Sequence, residues 1–250
     1  KETGITLPVK KILLLADIHS NPFALNAVFD KVQEEVGKVD YIFGLGDYVG
    51  YACYPNEILE VAKKKFDVMI MGNHDLAAAL GNADGFNRDA KAAALWNSEQ
   101  LTDENRTFLS ILEQQHHFHI FQEWSVFVIH GHPVDPINGY LRPDIPDEKK
   151  DEYLRMIPQS RFMFNGHTHI PMIYKGKGIA GETIIVNPGS VGQPRDRDPR
   201  ASACVLFVSE DVEYLEVKWI RAEYNITDLA REMRSKNLPH RLAERLFFGE

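Results

Sequence analysis

Apolar runs that stop abruptly at polar residues recur along the first third of the chain. KILLLAD (11–17), VDYIFGLGD (39–47) and FDVMIMGNHD (66–75) each carry a continuous hydrophobic stretch into a carboxylate or a histidine. Between them, Pro22 to Val36 and about Asn56 to Lys65 place apolar residues at helical spacing. Continuous apolar strands alternating with helices predict parallel strands buried on both faces. In such sheets ligands collect beyond the carboxyl ends of the strands. Those ends hold Asp17 with His19, then Asp47, then Asn73 with His74.

From Asn87 to Gln114 the spacing predicts two helices, with Thr102 as an N-cap before an acidic first turn. This segment (87–114) is expected to cover one side of the sheet as a cap-like insertion. The pattern then changes to short strands with Gly and Pro turns: HFHIFQEW, SVFVIHGH, RFMFNGH, MIYKGK, ETIIVNPGS, ASACVLFV and VEYLEVKWI. They predict a second sheet packed on the first, within one α/β domain spanning 10–250. The tail from Thr227 to Phe247 reads as helical, broken near Pro239.

Composition narrows the choice of partners. A chain of 250 residues with 44% hydrophobic and 26% charged residues can bury one large core. Its formal net charge of −8 repels polyanions, so extended nucleic acid has no electrostatic support, and a phosphate group needs a local cation. Cys53 and Cys204 are too few for a disulfide framework, which points to a reducing, cytoplasmic setting. No stretch approaches the roughly 18 consecutive apolar residues of a membrane span, and KETGITLPVKK lacks the apolar core of a signal peptide. Residues before Lys10 are set aside from the fold.

The polar residues at strand ends, in order, are Asp17, His19, Asp47, Asn73, His74, His130, His167 and His169. Mixed oxygen and imidazole donors suit Mn, Fe, Zn or Ni, whereas Ca and Mg favour oxygen alone. In FNGHTHIPMIY (164–174), His167 and His169 stand one residue apart, and alternate side chains of an extended segment face one spot. The donors are too many for one four-coordinate site and fit two ions sharing a carboxylate. Singly, DIH, GNHD and GHTH each has a bland reading as a cap, a turn or a chance pair. Their joint occurrence, each after an apolar run, points to a metal centre. HHFH (116–119) has no nearby acidic or Cys companions and reads as alternation on an edge strand.

These motifs resemble the calcineurin-like metallophosphoesterases. That family reads Asp-x-His, Gly-Asp, Gly-Asn-His-Asp/Glu, His-Gly and Gly-His-x-His; here stand DIH (17–19), GD (46–47), GNHD (72–75), HG (130–131) and GHTH (166–169). The match runs from about Lys11 to Phe207, and GDYVGYACYPNEIL, HGHPVDPINGYL and NPGSVGQPRDRDPRAS look like its compact prokaryotic, phosphodiesterase-like branch. The resemblance implies a four-layer α/β/β/α sandwich of two mixed sheets flanked by helices, with the metal site at the C-terminal ends of strands. It implies that Asp17, His19 and His169 hold one divalent ion and Asn73, His130 and His167 a second, with Asp47 bridging. His74 then stands over the substrate, donating to a phosphoryl oxygen or protonating the leaving group, and Asp75 orients it through the other ring nitrogen. The implied activity is two-metal hydrolysis of a small phosphodiester or phosphomonoester, with manganese favoured. A protein or nucleotide phosphatase, or a metal-binding interaction scaffold, is the alternative; the presence of His74 argues for catalysis.

Several features depart from that pattern or add to it. Gly50 stands where many relatives carry an acidic or arginine residue. Among Arg195, Arg197 and Arg200, Arg195 lies nearest the NPGS turn and is the candidate fork for a phosphate oxygen; the alternative is a solvated loop of Arg–Asp pairs. His132 either contacts substrate or sits at the surface. Tyr48, Tyr51 and Tyr54 either line an aryl-binding wall or cover core.

Overall fold

The first strand, β1 (Val9–Leu15), shows why these runs are apolar on both faces. Ile12 and Leu14 point into a core between two sheets; Leu13 and Leu15 point into a core under helices α1 (Pro22–Glu35) and α2 (Pro55–Lys65). The computed structural model describes residues 8–121 and 124–250. Residues 1–7, with most of the opening segment, and 122–123, within HFHIFQEW, lie outside the described residues.

Strands β2 (Tyr41–Gly44) and β3 (Val68–Met69) extend β1 in parallel. Helices α3 (Asn73–Leu80), α4 (Arg88–Gln100) and α5 (Asp103–Ser110) follow. Asn87 and Thr102 cap α4 and α5 by accepting from Ala90 N and Asn105 N, so the two expected helices form. The second sheet holds β4 (Gln115–Phe121), β5 (Trp124–Ile129), β6 (Phe162–Phe164), β7 (Pro171–Gly178) and β8 (Gly181–Pro188) in the order β4-β5-β6-β8-β7. Its centre is parallel and its two edge pairs antiparallel. Helix α6 (Asp147–Leu154) covers its outer face through Tyr153 and Leu154, which pack with Phe127, Ile129, Met163 and Ile185. Helices, two mixed sheets and a helix thus form four layers.

One part of the expected topology is corrected. ASACVLFV and VEYLEVKWI form β9 (Ala201–Ser209) and β10 (Leu215–Ala222), and they complete the first sheet, in the order β10-β9-β1-β2-β3. β9 pairs antiparallel with β1, Leu13 opposite Val205, because it is apolar on both faces and fills the open edge of a strand buried on both sides. The C-terminal helices α7 (Ile226–Ser235) and α8 (His240–Glu244) are separated at Pro239, and their apolar faces pack on Ala90, Ala93, Tyr51 and Cys53.

Candidate metal centre

Strands β1, β2, β5 and β6 end at one edge of the sandwich, and their loops are laced together by main-chain bonds. Asp17 N donates to Gly46 O at 3.0 Å, His19 N to Asp47 O at 3.1 Å, and Gly166 N to His130 O at 3.0 Å. Five of the expected donors sit in left-handed backbone: Asp17 (φ 53°), His19 (50°), Asp47 (57°), His167 (68°) and His169 (60°). That region is costly for residues other than glycine and gathers at functional sites. His167 and His169 therefore do not converge by strand alternation, as their spacing suggested. Each is turned inward by its own left-handed residue.

The result is two buried groups with one shared member. Asp17, His19, Asp47 and His169 form one and Asp47, His130 and His167 the other, with the donor atoms of each group within 4.8 Å of one another. Asp47 Oδ2 lies 3.6 Å from His19 Nε2 and 3.3 Å from His130 Nε2. Asp17 Oδ1 is 3.4 Å from His169 Nε2, and His19 Nε2 faces His169 Nε2 at 3.1 Å. Four main-chain carbonyls accept from the outer ring nitrogens: Val49 from His19 Nδ1 at 2.9 Å, Leu45 from His130 Nδ1 at 2.8 Å, Gln193 from His169 Nδ1 at 2.5 Å, and Asn138 from His167 Nε2 at 3.1 Å. A carbonyl only accepts, so each outer nitrogen carries the hydrogen and the other nitrogen faces the group.

Electrostatics follow the same division. Burial pushes His19 and His169 below the ordinary imidazole range and His167 down to about 3, towards the neutral form that binds metals; it also lowers His74, outside the two donor groups, to about 4. Burial also opposes a charge on His130, but the Asp47 carboxylate outweighs it and raises His130 to about 10. Burial opposes the Asp47 charge in turn, yet the neighbouring imidazoles, His130 foremost, hold that carboxyl well below its usual range.

A metal fits these residues on the structure's own terms. Asn73 Oδ1 is buried without a hydrogen-bond partner, His130 Nε2 has only the Asp47 carboxylate beside it at 3.3 Å, and two imidazole nitrogens face each other. Buried polar groups are ordinarily paired, and a cation among them supplies the missing partner. Carboxylate, imidazole and amide donors together match divalent ions of the Mn, Fe, Zn and Ni kind.

Asp75 corrects an expectation. Its carboxylate does not touch the His74 ring; it accepts from Asp47 N at 2.7 Å, Tyr48 N at 2.9 Å, Val49 N at 3.3 Å and Gly72 N at 2.9 Å. Burial, with the Asp47 charge second, raises it to about 8 against those N–H groups. Asp75 thus fixes the loop that carries Asp47 onto the start of α3, and four main-chain donors leave the carboxylate no room for an imidazole. Gly50 is explained by the same crowding. A Cβ there would lie 2.3 Å from His74 Nδ1, and its φ of +93° is a glycine conformation.

A cleft of about 420 Å³ opens over the cluster, lined by Asp47, Asn73, His74, His167, His169 and Arg195, with Tyr51, Phe86 and Tyr140 among its walls. Arg195 donates to Gln193 Oε1 at 2.8 Å and to Tyr51 Oη at 3.1 Å, both neutral acceptors. Arg197 and Arg200 do not line the cleft, and Arg200 instead pairs with Asp198 at 2.7 Å. His132 also turns away: it stacks on Tyr153 at 4.5 Å and accepts from Asp135 N, bracing the 132–139 loop, so it is no substrate contact here. Of the three tyrosines, Tyr51 alone lines the cleft; Tyr48 is buried on Phe66 and Tyr54 packs near Phe23. Sequence reasoning missed Phe86, Tyr140 and the Asn138 carbonyl. Their only sequence signals are the DGFN run before a helix cap and the Asn-Gly turn at 138–139.

Comparison with known proteins agrees with this arrangement. The profile of the calcineurin-like phosphoesterase superfamily domain matches residues 11–211. An uncharacterized protein of Methanocaldococcus jannaschii is 34% identical, over 95% of this chain and 98% of its own length. A metallophosphoesterase from Sphaerobacter thermophilus superposes with a TM-score of 0.78 at 31% identity, covering 97% of this chain and 100% of that one. A hypothetical protein from Pyrococcus horikoshii OT3 reaches 0.81 at 25% identity, covering 96% and 98%. With the motifs, the four layers and the buried cluster in register, the chain belongs to the calcineurin-like phosphoesterase superfamily.

Proposed function

We propose that the chain, read as one domain over 10–250 with α4 and α5 as a cap-like insertion, is a two-metal phosphoesterase acting on a small phosphodiester or phosphomonoester. The observation that carries this reading is Asp47, shared between two buried donor groups at the floor of one cleft. Asp17, His19 and His169 are the ligands of one ion, Asn73, His130 and His167 those of the other, with Asp47 common to both and manganese favoured for activity. Bound there, two divalent ions supply Lewis-acid chemistry, lowering the pKa of water and polarising phosphoryl oxygens.

The chain's own residues position the reactants. One water is consumed: its hydroxyl ends on phosphorus as the ester P–O bond breaks, and its hydrogen ends on the departing alcohol. His74 lines the cleft with Nδ1 buried against Gly50, so Nε2 is the atom that donates to a phosphoryl oxygen or to the departing oxygen. Arg195 offers a guanidinium to a non-bridging oxygen in a chain whose net charge is −8. A binding scaffold on the same fold would need neither group.

Two free, buried cysteines support a reducing, cytoplasmic setting, and no helix among the described residues is long and apolar enough to cross a membrane. The test is turnover of an aryl phosphodiester with added manganese. Chelation abolishes it, and His74→Ala retains the metals while losing about a hundred- to ten-thousandfold in kcat. Turnover that survives chelation sinks the reading, and loss of the metals on His74→Ala reassigns that histidine.

A further inference from the structure

The floor of the cleft is polar, but two of the aromatic side chains that line it are partly or largely exposed. Tyr140 is 52% exposed although its ring lies 4.1 Å from that of His167. Phe86, half-buried, lies 4.8 Å from the His74 ring. Phe86 also packs on the core clusters of Ala83 and Ala90 and so has one side held, but it keeps part of its surface open. Tyr51 differs from both in being buried, its ring packed against His19 and His74 with the Arg195 guanidinium at 5.7 Å. Tyr51 is therefore wall, whereas Phe86 and Tyr140 offer ring faces to a ligand.

We propose that the cleft selects phosphate esters carrying a flat aromatic substituent, an aryl ring or a nucleobase, received on Phe86 and Tyr140; this rests on the phosphoesterase reading above and narrows its substrate class. Both rings stand on fixed backbone. Phe86 N donates to Ala83 O at 3.2 Å, and the next residue, Asn87, caps α4. Tyr140 follows Gly139, whose N donates to Asp135 O at 3.0 Å, and Asn138, whose carbonyl accepts from His167. One ring thus stands beside the proposed catalytic histidine and the other beside a proposed ligand, so an ester whose phosphorus sits over Asp47 brings its substituent to them.

Charge points the same way. Among the described residues lining the cleft, Arg195 is the one lysine or arginine, and the stretch around Phe86 contributes Asp84 and Asn87. Asp84 is paired with Lys91 at 2.9 Å, so the stretch around Phe86 offers a second phosphate no free cation from the cleft lining, whereas an uncharged ring meets an apolar side chain. A cleft of about 420 Å³ also suits a small ester rather than a folded phosphoprotein. Stacking on an aromatic side chain is tolerant of ring identity and changes affinity about tenfold or more per ring.

The test measures binding of three unreactive phosphonates to manganese-loaded protein, as inhibitors and by calorimetry: phenyl, nucleoside and n-butyl. Wild type is expected to bind the two aromatic compounds about tenfold more tightly than the butyl compound. Tyr140→Ala and Phe86→Ala should each erode that preference while leaving butyl binding within about twofold. Tyr140→Leu, which keeps apolar bulk without the ring, should behave like Tyr140→Ala. Tighter binding of the nucleoside than of the phenyl compound assigns added readout of the base edge to the polar rim, and equal binding assigns the preference to the ring alone; either outcome supports the inference. Absence of an aromatic preference in wild type, or equal losses for aryl and butyl compounds in the variants, overturns it. In those cases retained ester turnover leaves the phosphoesterase reading standing, whereas no turnover of any ester removes that reading itself.

Discussion

Two His-x-His pairs with the same spacing behave differently in this molecule. His117 and His119 lie on β4, an edge strand, exposed, with ring centroids 5.8 Å apart. They obey strand alternation, yet they join no donor group among the described residues. His167 and His169 are buried in left-handed backbone and are divided between the two groups that share Asp47. Spacing alone therefore does not make a metal site. Burial, carboxylates arriving from other strands and a strained loop convert the same three-residue pattern into donors for two separate positions.

The largest break in this comparison is expected at Asp47, the carboxylate that joins the two groups. Asp47→Asn keeps the shape but removes the charge facing His19 and His130. Loss of an outer contact to a metal site typically costs ten- to a hundredfold, so loss of the shared carboxylate should cost more than about a hundredfold in aryl-ester turnover. Elemental analysis should show both ions depleted. A variant that keeps both at full occupancy would mean that Asp47 is not shared.

A smaller, more selective effect is expected from the two histidines. His169→Ala removes a donor from the group of Asp17 and His19; His167→Ala removes one from the group of His130. Each should weaken one ion first, by at least about ten- to a hundredfold in a manganese titration, the range for losing an outer contact alone, leaving the other bound. Identical titrations for both variants would merge the two groups into one and erase the contrast with the strand pair.

How far all this was legible in the sequence depends on what each residue answers to. That Asp17, His19, Asp47, Asn73, His130, His167 and His169 gather at one edge is legible because each ends an apolar run, and strand ends are where α/β sheets place ligands. The left-handed backbone that aims five of them, Asp17, His19, Asp47, His167 and His169, leaves no residue-type signature, since Asp and His stand there instead of glycine. Asp75 could not be read because its partners are main-chain N–H groups, which every residue but proline carries. β9 joins the first sheet, against its local pattern, because its pairing with β1 links distant parts of the chain and local pattern does not encode distant partners. α6 carries no amphipathic signal, because DEKKDEYL offers Tyr153 and Leu154 as its only apolar side chains. Phe86 and Tyr140 come to one cleft only in three dimensions, from loops that the sequence separates by more than fifty residues.

The smallest expected effect lies at the pair that spacing alone would have favoured. HHFH does have an acidic companion, contrary to the reading of its sequence, since His116 meets Glu113 at 2.7 Å; but that contact is with His116, and both His117 and His119 are exposed on the outermost strand of their sheet. An exposed imidazole pair without a carboxylate keeps its water and gains little from a divalent ion. The double variant His117→Ala, His119→Ala should therefore leave metal content and turnover at wild-type levels and change stability by no more than about 0.5 kcal/mol per site. Thermal unfolding and elemental analysis check both. Loss of an ion from this variant would show that exposed strand alternation suffices to hold metal here, and the burial and backbone strain around His167 and His169 would no longer be what separates the two pairs.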